Sequence, residues 1–262
     1  EVLSDWAHNA LLTDKDVNDE RKVVLEESRG GKGAGDRMMR VYLPKLMAGS
    51  HYADRLPIGK DDILKNCDPE AIRSFYRDWY RPDLMAVAVV GDVTVAQAKA
   101  LIEKYFAPLT NPDTTRARID FDVPAYKAKE AMVLTDIEET NQSFILNYSS
   151  KKSSPNTTLQ EYRSSIVKSC FQQILNTRLQ DLTQTANPPY LYSYAGIGGW
   201  SRGYESFSLT TVASNDMKTA INASIGEIVK VQKFGFSQVE LDLVKKSLLG
   251  YMERSYNERN TT

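Results

Sequence analysis

Two glutamates, Glu20 and Glu27, stand seven residues apart in a stretch with a helical pattern of apolar side chains. Because an α-helix has 3.6 residues per turn, this spacing stacks both carboxylates on one face, two turns apart. Carboxylates are zinc ligands, although the same spacing also describes an ordinary solvated helix face. The apolar run at residues 23–25 favours the metal interpretation, because it predicts a largely enclosed helix on which a carboxylate needs a cation or a donor.

The remaining ligands of a zinc site are missing from the sequence. Its only histidines, His8 and His51, lie far apart, so no histidine pair at i,i+4 spacing is available. Cys67 and Cys170 are also distant from each other and lie within apolar patterns, which predicts small buried side chains and no disulfide. The sequence therefore predicts half of a metal site.

Two other kinds of chemistry find little support. The glycine-rich residues 30–35 follow a helix and lack the Gly-Lys-Ser/Thr ending of a phosphate-binding loop, so they predict a flexible turn. Residues 199–203 match Gly-x-Ser-x-Gly, but this run lies between two predicted strands, whereas a nucleophile elbow needs a strand followed by a helix, so the sequence does not predict a serine hydrolase. The formal net charge of −1 and a pI near 6.3 indicate no excess of positive charge that would attract nucleic acid or an anionic membrane. No apolar run reaches the roughly 20 residues of a membrane span.

The first half of the chain reads as helices with one strand. Thr13, Asp36, Asp68 and Thr94 each stand where they can cap a helix, and Thr94 forms a capping box with Gln97. The predicted elements are helices at residues 17–29, 37–46, from 69 onward and from 95 to about 106, a strand at 85–90 and a loop at 49–65.

The second half reads as an alternation of strands and helices after a linker at residues 108–124. Asp216 and Ser237 can cap the last two helices. The predicted strands are residues 131–137, 143–148, 190–197 and 206–213, with a long helix at 157–182. Helical patterns at both ends of the chain begin and stop without caps, so we expect a segment of a longer polypeptide.

Several motifs together resemble the pitrilysin/insulinase metallopeptidases. In that family an inverted His-x-x-Glu-His zinc motif is completed downstream by a pattern like Glu-Arg followed, after five residues, by Glu. Residues 20–27 show this pattern. The resemblance continues through residues 36–38, 52–59, 75–83 and 85–92, and more weakly through 173–180, 188–190 and 235–240.

The resemblance implies a role for each glutamate. Glu27 matches the third zinc ligand, and Glu20 matches an additional acidic residue that sits near the metal and supports catalysis. The two histidine ligands and the glutamate that acts as general base would lie upstream of this sequence. In the complete protein, the resemblance implies Zn²⁺ that polarises the peptide carbonyl and activates a water.

The family's fold implies a mixed α/β chain of two layered domains with antiparallel-rich sheets covered by helices, as in pitrilysin and LuxS. Residues 1–126 would be the C-terminal part of the zinc-bearing domain, whose opening strands are missing. Residues 127–262 would be a second, metal-free domain of similar fold.

We therefore expect a fragment of a zinc endopeptidase acting on peptides or unfolded polypeptides, inactive and without retained Zn²⁺ when alone. Its expected partners are a peptide substrate and the missing N-terminal and C-terminal parts of the same polypeptide, with no nucleic acid and no membrane. The likeness to bacterial members of the family implies a periplasmic location. A non-catalytic scaffold or presentation subunit of the same family is the alternative, and a plain binding module is a third interpretation.

Overall fold

Residues 1–199 and 201–259 are described by a computed structural model in which the chain divides into two units. The first unit contains Glu1–Asp36 and Asp54–Phe121, and the second contains Arg37–Ala53 and the chain from Asp122 onward. The assignment of residues 1–126 and 127–262 to a zinc-bearing and a metal-free domain stays a prediction.

The first unit is helical throughout its described elements. Three of the predicted caps form, since the side chains of Thr13, Asp68 and Thr94 accept hydrogen bonds from backbone N–H groups of the first turns. The prediction that Asp36 caps the next helix is wrong, because that helix begins at Ala34 and Asp36 lies within its first turn. Up to residue 105 the described α-helices are α1 (Val2–His8), α2 (Asp14–Gly30), α3 (Ala34–Leu46), α4 (Asp61–Asn66), α5 (Pro69–Trp79) and α6 (Val95–Tyr105). Helix α3 continues from the first unit into the second.

Two further predictions for the first half are wrong. The expected loop at residues 49–65 contains a 3₁₀ turn at His51–Asp54 and most of helix α4. The expected strand at residues 85–90 joins no sheet, and Val90 is 98% exposed. A β-rich run becomes a strand only where a partner satisfies its backbone groups, and no described segment pairs with this one.

The second unit contains an antiparallel sheet. Its elements are β1 (Ser143–Asn147), β2 (Lys151–Lys152), α7 (Leu159–Thr183), β3 (Tyr190–Gly198), β4 (Tyr204–Ala213), α8 (Met217–Phe234) and α9 (Gln238–Asn257). Strand β4 pairs with each of the other three strands. Leu209 lies opposite Leu146 of β1 and opposite Ala195 of β3, so β4 runs between these two strands.

The core of this unit lies between the sheet and its helices. Leu209, Thr211 and Ala213 share one face of β4 and are buried, and Val212 of the opposite face is buried as well. The buried apolar cluster joins α7, α8 and two strands through Leu175, Leu179, Tyr190, Ala195, Leu209, Ala213 and Ala220. Helices thus cover an antiparallel sheet, and the predicted mixed α/β fold class is confirmed.

Most predictions for the second half are confirmed. The strands at residues 143–148, 190–197 and 206–213 correspond to β1, β3 and β4, and the long helix corresponds to α7. Asp216 caps α8, and Ser237 and Glu240 form the predicted capping box of α9. The expected strand at residues 131–137 is wrong, because this run pairs with no described strand and Val133 is 90% exposed.

A side chain of α7 pairs with one residue on the outer edge of β3. The backbone N–H of Ala195 in β3 donates to Oδ1 of Asn176 at 2.8 Å. In turn, Nδ2 of Asn176 donates to the carbonyl of Ala195 at 2.8 Å. The amide on α7 therefore makes, at this position of β3, the two hydrogen bonds that a neighbouring strand would make.

Candidate functional site

Glu20 and Glu27 both lie within α2, as the sequence predicts. The helix begins after Thr13, whose side chain accepts from the N–H of Asp16, and it ends at Gly30 beside further glycines that disfavour helix. With 3.6 residues per turn, the two glutamates share one face, two turns apart. Both are exposed.

These two carboxylates differ from the other acidic side chains of α2. Neither Glu20 nor Glu27 forms a side-chain hydrogen bond or an ion pair within residues 1–199 and 201–259. Each of the other four is held by a nearby side chain: Asp14 by Arg73, Asp16 by Thr13, Asp19 by Lys15 and Lys22, and Glu26 by Arg29. Glu20 and Glu27 are therefore the acidic groups of α2 that keep their oxygen lone pairs available for an added cation.

The prediction that α2 is largely enclosed is wrong. Only Val17 and Ser28 of this helix are buried, and Val23, which lies between the two glutamates on their face, is 59% exposed. The helix packs against α4 and α5, so most of its circumference stays open. Burial therefore does not explain why these carboxylates lack partners.

The buried side of α2 carries two polar anchors that the sequence analysis missed. Arg21 donates to the backbone carbonyls of Lys65 and Cys67, and Ser28 donates to Asp61. A signal was present, because Arg21 and Ser28 fall in the same heptad stripe as the apolar Val17. An arginine within such a stripe indicates a guanidinium that needs acceptors.

Asp61 is itself the centre of a small polar cluster at the start of α4. Lys32 donates to Oδ2 of Asp61, and Ser28 donates to its Oδ1 at 2.8 Å. These two hydrogen bonds, that of Lys32 first, lower the pKa of Asp61 below its usual range. Asp61 therefore stays ionised and holds the end of α2 in place.

The donor set fits one part of a zinc site. A catalytic zinc needs about three protein ligands, and the described residues contain no group of three His, Cys, Asp or Glu side chains that could hold a metal. His8 lies beside the carbonyl of Tyr80, and both cysteines are free and half-buried. Glu27 can supply a single anionic oxygen ligand, with Glu20 on the same face.

Comparisons with known proteins agree on one family. The sequence profile described as "Peptidase M16 inactive domain" matches residues 66–248. The chain is 31% identical, over 99% of its length, to "Probable zinc protease PqqL" from Haemophilus influenzae. It spans only 28% of that relative. The match to the family profile starts after Glu20 and Glu27, whereas the match to the relative covers nearly the whole chain.

Solved structures give the same likeness. The crystal structure of the periplasmic protease PqqL from Escherichia coli matches with a TM-score of 0.88 at 27% identity, covering 98% of this chain and 28% of that one. A structure of the first half of the same protease matches with a TM-score of 0.88 and is covered over 55% of its length. The described residues contain no helix that is long and apolar enough to cross a membrane.

Proposed function

Because the chain belongs to the M16 peptidase family, we propose that it is the part of a zinc-dependent endopeptidase that supplies the third metal ligand. One observation carries this proposal. Among the acidic side chains of α2, only Glu20 and Glu27 lack a partner within the described residues, and both lie on one exposed face. These are the two positions that the family motif assigns to the metal site.

Each residue has a distinct proposed role. Glu27 would bind the metal through its carboxylate and contribute the negative charge of the ligand set. Glu20, one residue before Arg21 and on the same face as Glu27, is the acidic group that supports catalysis close to the metal. When bound, Zn²⁺ polarises the peptide carbonyl and acidifies a water. The two histidines and the general base come from a His-x-x-Glu-His segment outside this chain.

The substrate, location and partners follow from the relatives. Two relatives are named zinc proteases, and the E. coli protein is described as periplasmic. We therefore propose a peptide or unfolded polypeptide as substrate and the periplasm as location. Since the chain spans about a quarter of the length of these relatives, its proposed partners are the other parts of the same polypeptide.

A second candidate function has an observation of its own. The family profile that matches residues 66–248 describes an inactive domain, which favours a scaffold or presentation role for that part of the chain. The two functions make different demands on α2. A scaffold requires no free carboxylates at Glu20 and Glu27, whereas a zinc site requires Glu27.

The two candidates are separated by replacing Glu27 with glutamine in the full-length parent. This change keeps the shape of the side chain and removes its charge, so we expect zinc content after dialysis to fall well below that of the wild type. Glu26→Gln is the matched control, because Glu26 is adjacent to Glu27 and its own carboxylate is held by Arg29. Wild-type zinc content in the Glu27 variant would exclude the ligand role and favour the scaffold.

A further inference from the structure

Helix α2 is fixed to the short helix α4 at two points. Arg21 and Ser28 make these contacts, and they are seven residues apart on the buried side of α2. Arg21 reaches the C-terminal end of α4 and Ser28 reaches Asp61 at its N-terminal end. The two helices therefore run antiparallel along this stretch.

The contact of Arg21 suits its chemistry. Nη1 donates to the carbonyl of Lys65 at 2.6 Å, and Nη2 donates to the carbonyl of Cys67 at 2.8 Å. The last carbonyls of a helix lack intrahelical partners and carry the negative end of its dipole, so a guanidinium satisfies both needs. Nε of Arg21 is buried without a partner in the described residues, so the two Nη contacts set its orientation.

The positions of the anchors determine where the glutamates point. Glu20 immediately precedes Arg21, and Glu27 immediately precedes Ser28. Each residue of an α-helix is rotated by about 100° from the one before it. Both glutamates are therefore displaced by the same angle from the anchored side, and fixing Arg21 and Ser28 fixes the direction of Glu20 and Glu27.

We propose that Arg21, assisted by Ser28, is a positioning residue that sets the rotation of α2 about its axis and so aims Glu27 at the metal. This inference rests on the proposed function, because it takes Arg21 to orient a side chain that binds zinc. Two hydrogen bonds from one rigid guanidinium resist rotation better than a single bond from a flexible side chain. Ser28 adds a second point two turns away.

The test uses the full-length parent with two readouts besides activity. Zn²⁺ affinity is measured by competition with a chelator, and ligand geometry is followed by the visible spectrum of the Co²⁺-substituted protein. We expect Arg21→Ala to weaken Zn²⁺ binding by about 10- to 100-fold, as loss of groups that orient metal ligands does, and to change the Co²⁺ spectrum. Arg21→Lys, which can reach one carbonyl, should fall between the alanine variant and the wild type.

Arg29→Ala is the matched control, since this arginine of α2 is exposed and pairs only with Glu26 among the described residues. It should keep both wild-type readouts. Ser28→Ala decides the question if Arg21→Ala does not fold by circular dichroism, and we expect a smaller shift in the same direction. Wild-type affinity and spectrum in whichever variant folds would overturn the positioning role.

The Glu27→Gln variant distinguishes failure of the positioning role from failure of the proposed function. If it loses zinc while folded Arg21→Ala keeps wild-type affinity and spectrum, the positioning role fails and the proposed function stands. If Glu27→Gln itself keeps zinc, both fail. Loss of affinity in both variants, with Arg29→Ala unchanged, supports the positioning role.

Discussion

At the scale of single residues, Glu20 and Glu27 have nearly the same surroundings on α2. Both are exposed and both lack partners in the described part of the chain, so local environment does not separate a ligand from a supporting acid. The different roles proposed for them rest on the family motif alone. Replacing each glutamate separately with glutamine can therefore test whether the two residues have different roles.

We expect Glu20→Gln in the full-length parent to retain zinc while its kcat/KM falls about 10- to 100-fold, the usual cost of losing a group just outside the ligand set. The physical reason is that this change removes a charge near the metal but no metal–ligand bond. Zinc content after dialysis and hydrolysis of a quenched peptide measure the two effects. Asp19→Asn, on a carboxylate held by Lys15 and Lys22, is the control. Zinc loss equal to that of Glu27→Gln would show that Glu20 is itself a ligand.

Leu175 is a residue whose role is structural. It is completely buried in the core of the second unit, so Leu175→Ala should lower the free energy of unfolding by about 2–5 kcal/mol. Val167→Ala, on an exposed part of the same helix, should change it by no more than about 0.5 kcal/mol. Urea unfolding of the 262-residue chain followed by circular dichroism compares them. Equal values for the two variants would contradict the assigned core.

At the scale of elements, capping signals proved the most informative part of the sequence. The predicted starts of α5, α6, α8 and α9 all occur, because a cap is a contact between residues three positions apart or fewer. The predicted strands at residues 85–90 and 131–137 do not occur, because a strand requires a partner that its own residues do not specify.

The candidate site shows the same division. The shared face of Glu20 and Glu27 depends only on helical spacing and could be predicted from the sequence. The contacts of Arg21 depend on α4, which lies 40 residues or so further along the chain and which the sequence analysis read as loop. Neither α4 nor its free carbonyls could be inferred from the spacing on α2. Tertiary partners, here as in the sheet, set the limit of sequence-based prediction.

The junction of α7 and α9 makes a testable contribution to acid stability. Arg178 donates to both carboxylate oxygens of Glu240 at 2.5 and 2.8 Å. This contact and the N–H of Ser237 lower the pKa of Glu240 to about 2, against an ordinary 4.5. Because the folded pKa is the lower one, the stabilisation is complete above about pH 4.5 and is lost as pH falls towards 2.

Glu240→Gln should therefore be less stable than the wild type at pH 6, and the difference in unfolding free energy should shrink between pH 5 and pH 3. Urea unfolding at each pH measures this difference. Glu253→Gln, whose side chain has no partner among the described residues, should give a curve parallel to the wild type. A difference for Glu240→Gln that stays constant over the whole pH range would contradict the assignment.

At the scale of the whole molecule, the chain divides into two units and carries the proposed third ligand of a metal site. The described residues hold no three-ligand cluster, and a single carboxylate cannot hold Zn²⁺ against water. The relatives that this chain resembles are three to four times longer. Zinc binding and proteolysis are therefore expected to require parts of the polypeptide beyond this one.

We expect the purified 262-residue chain to be folded, to retain no zinc after dialysis and to cleave no unfolded peptide in excess Zn²⁺. The reason is the lack of two ligands and of a general base that returns the proton to the leaving amine. Metal analysis and a quenched peptide assay test both parts, with Glu27→Gln as a control for contaminating proteases. Chelator-sensitive cleavage that disappears in this variant would contradict the expectation.

The amide of Asn176 on the edge of β3 bears on how molecules of this chain behave towards one another. A bare strand edge is a template on which a second chain can add, which is the first step of fibril growth. Removing the amide in Asn176→Ala leaves the N–H and the carbonyl of Ala195 unpaired at that edge. Thioflavin T fluorescence of concentrated samples should then rise sooner than in the wild type, whereas exposed Gln173→Ala on the same helix should leave the lag unchanged. Equal lag times for the wild type and both variants would mean that this edge does not nucleate aggregation. A shortened lag in Asn176→Ala alone would show that one side chain delays the aggregation of the chain.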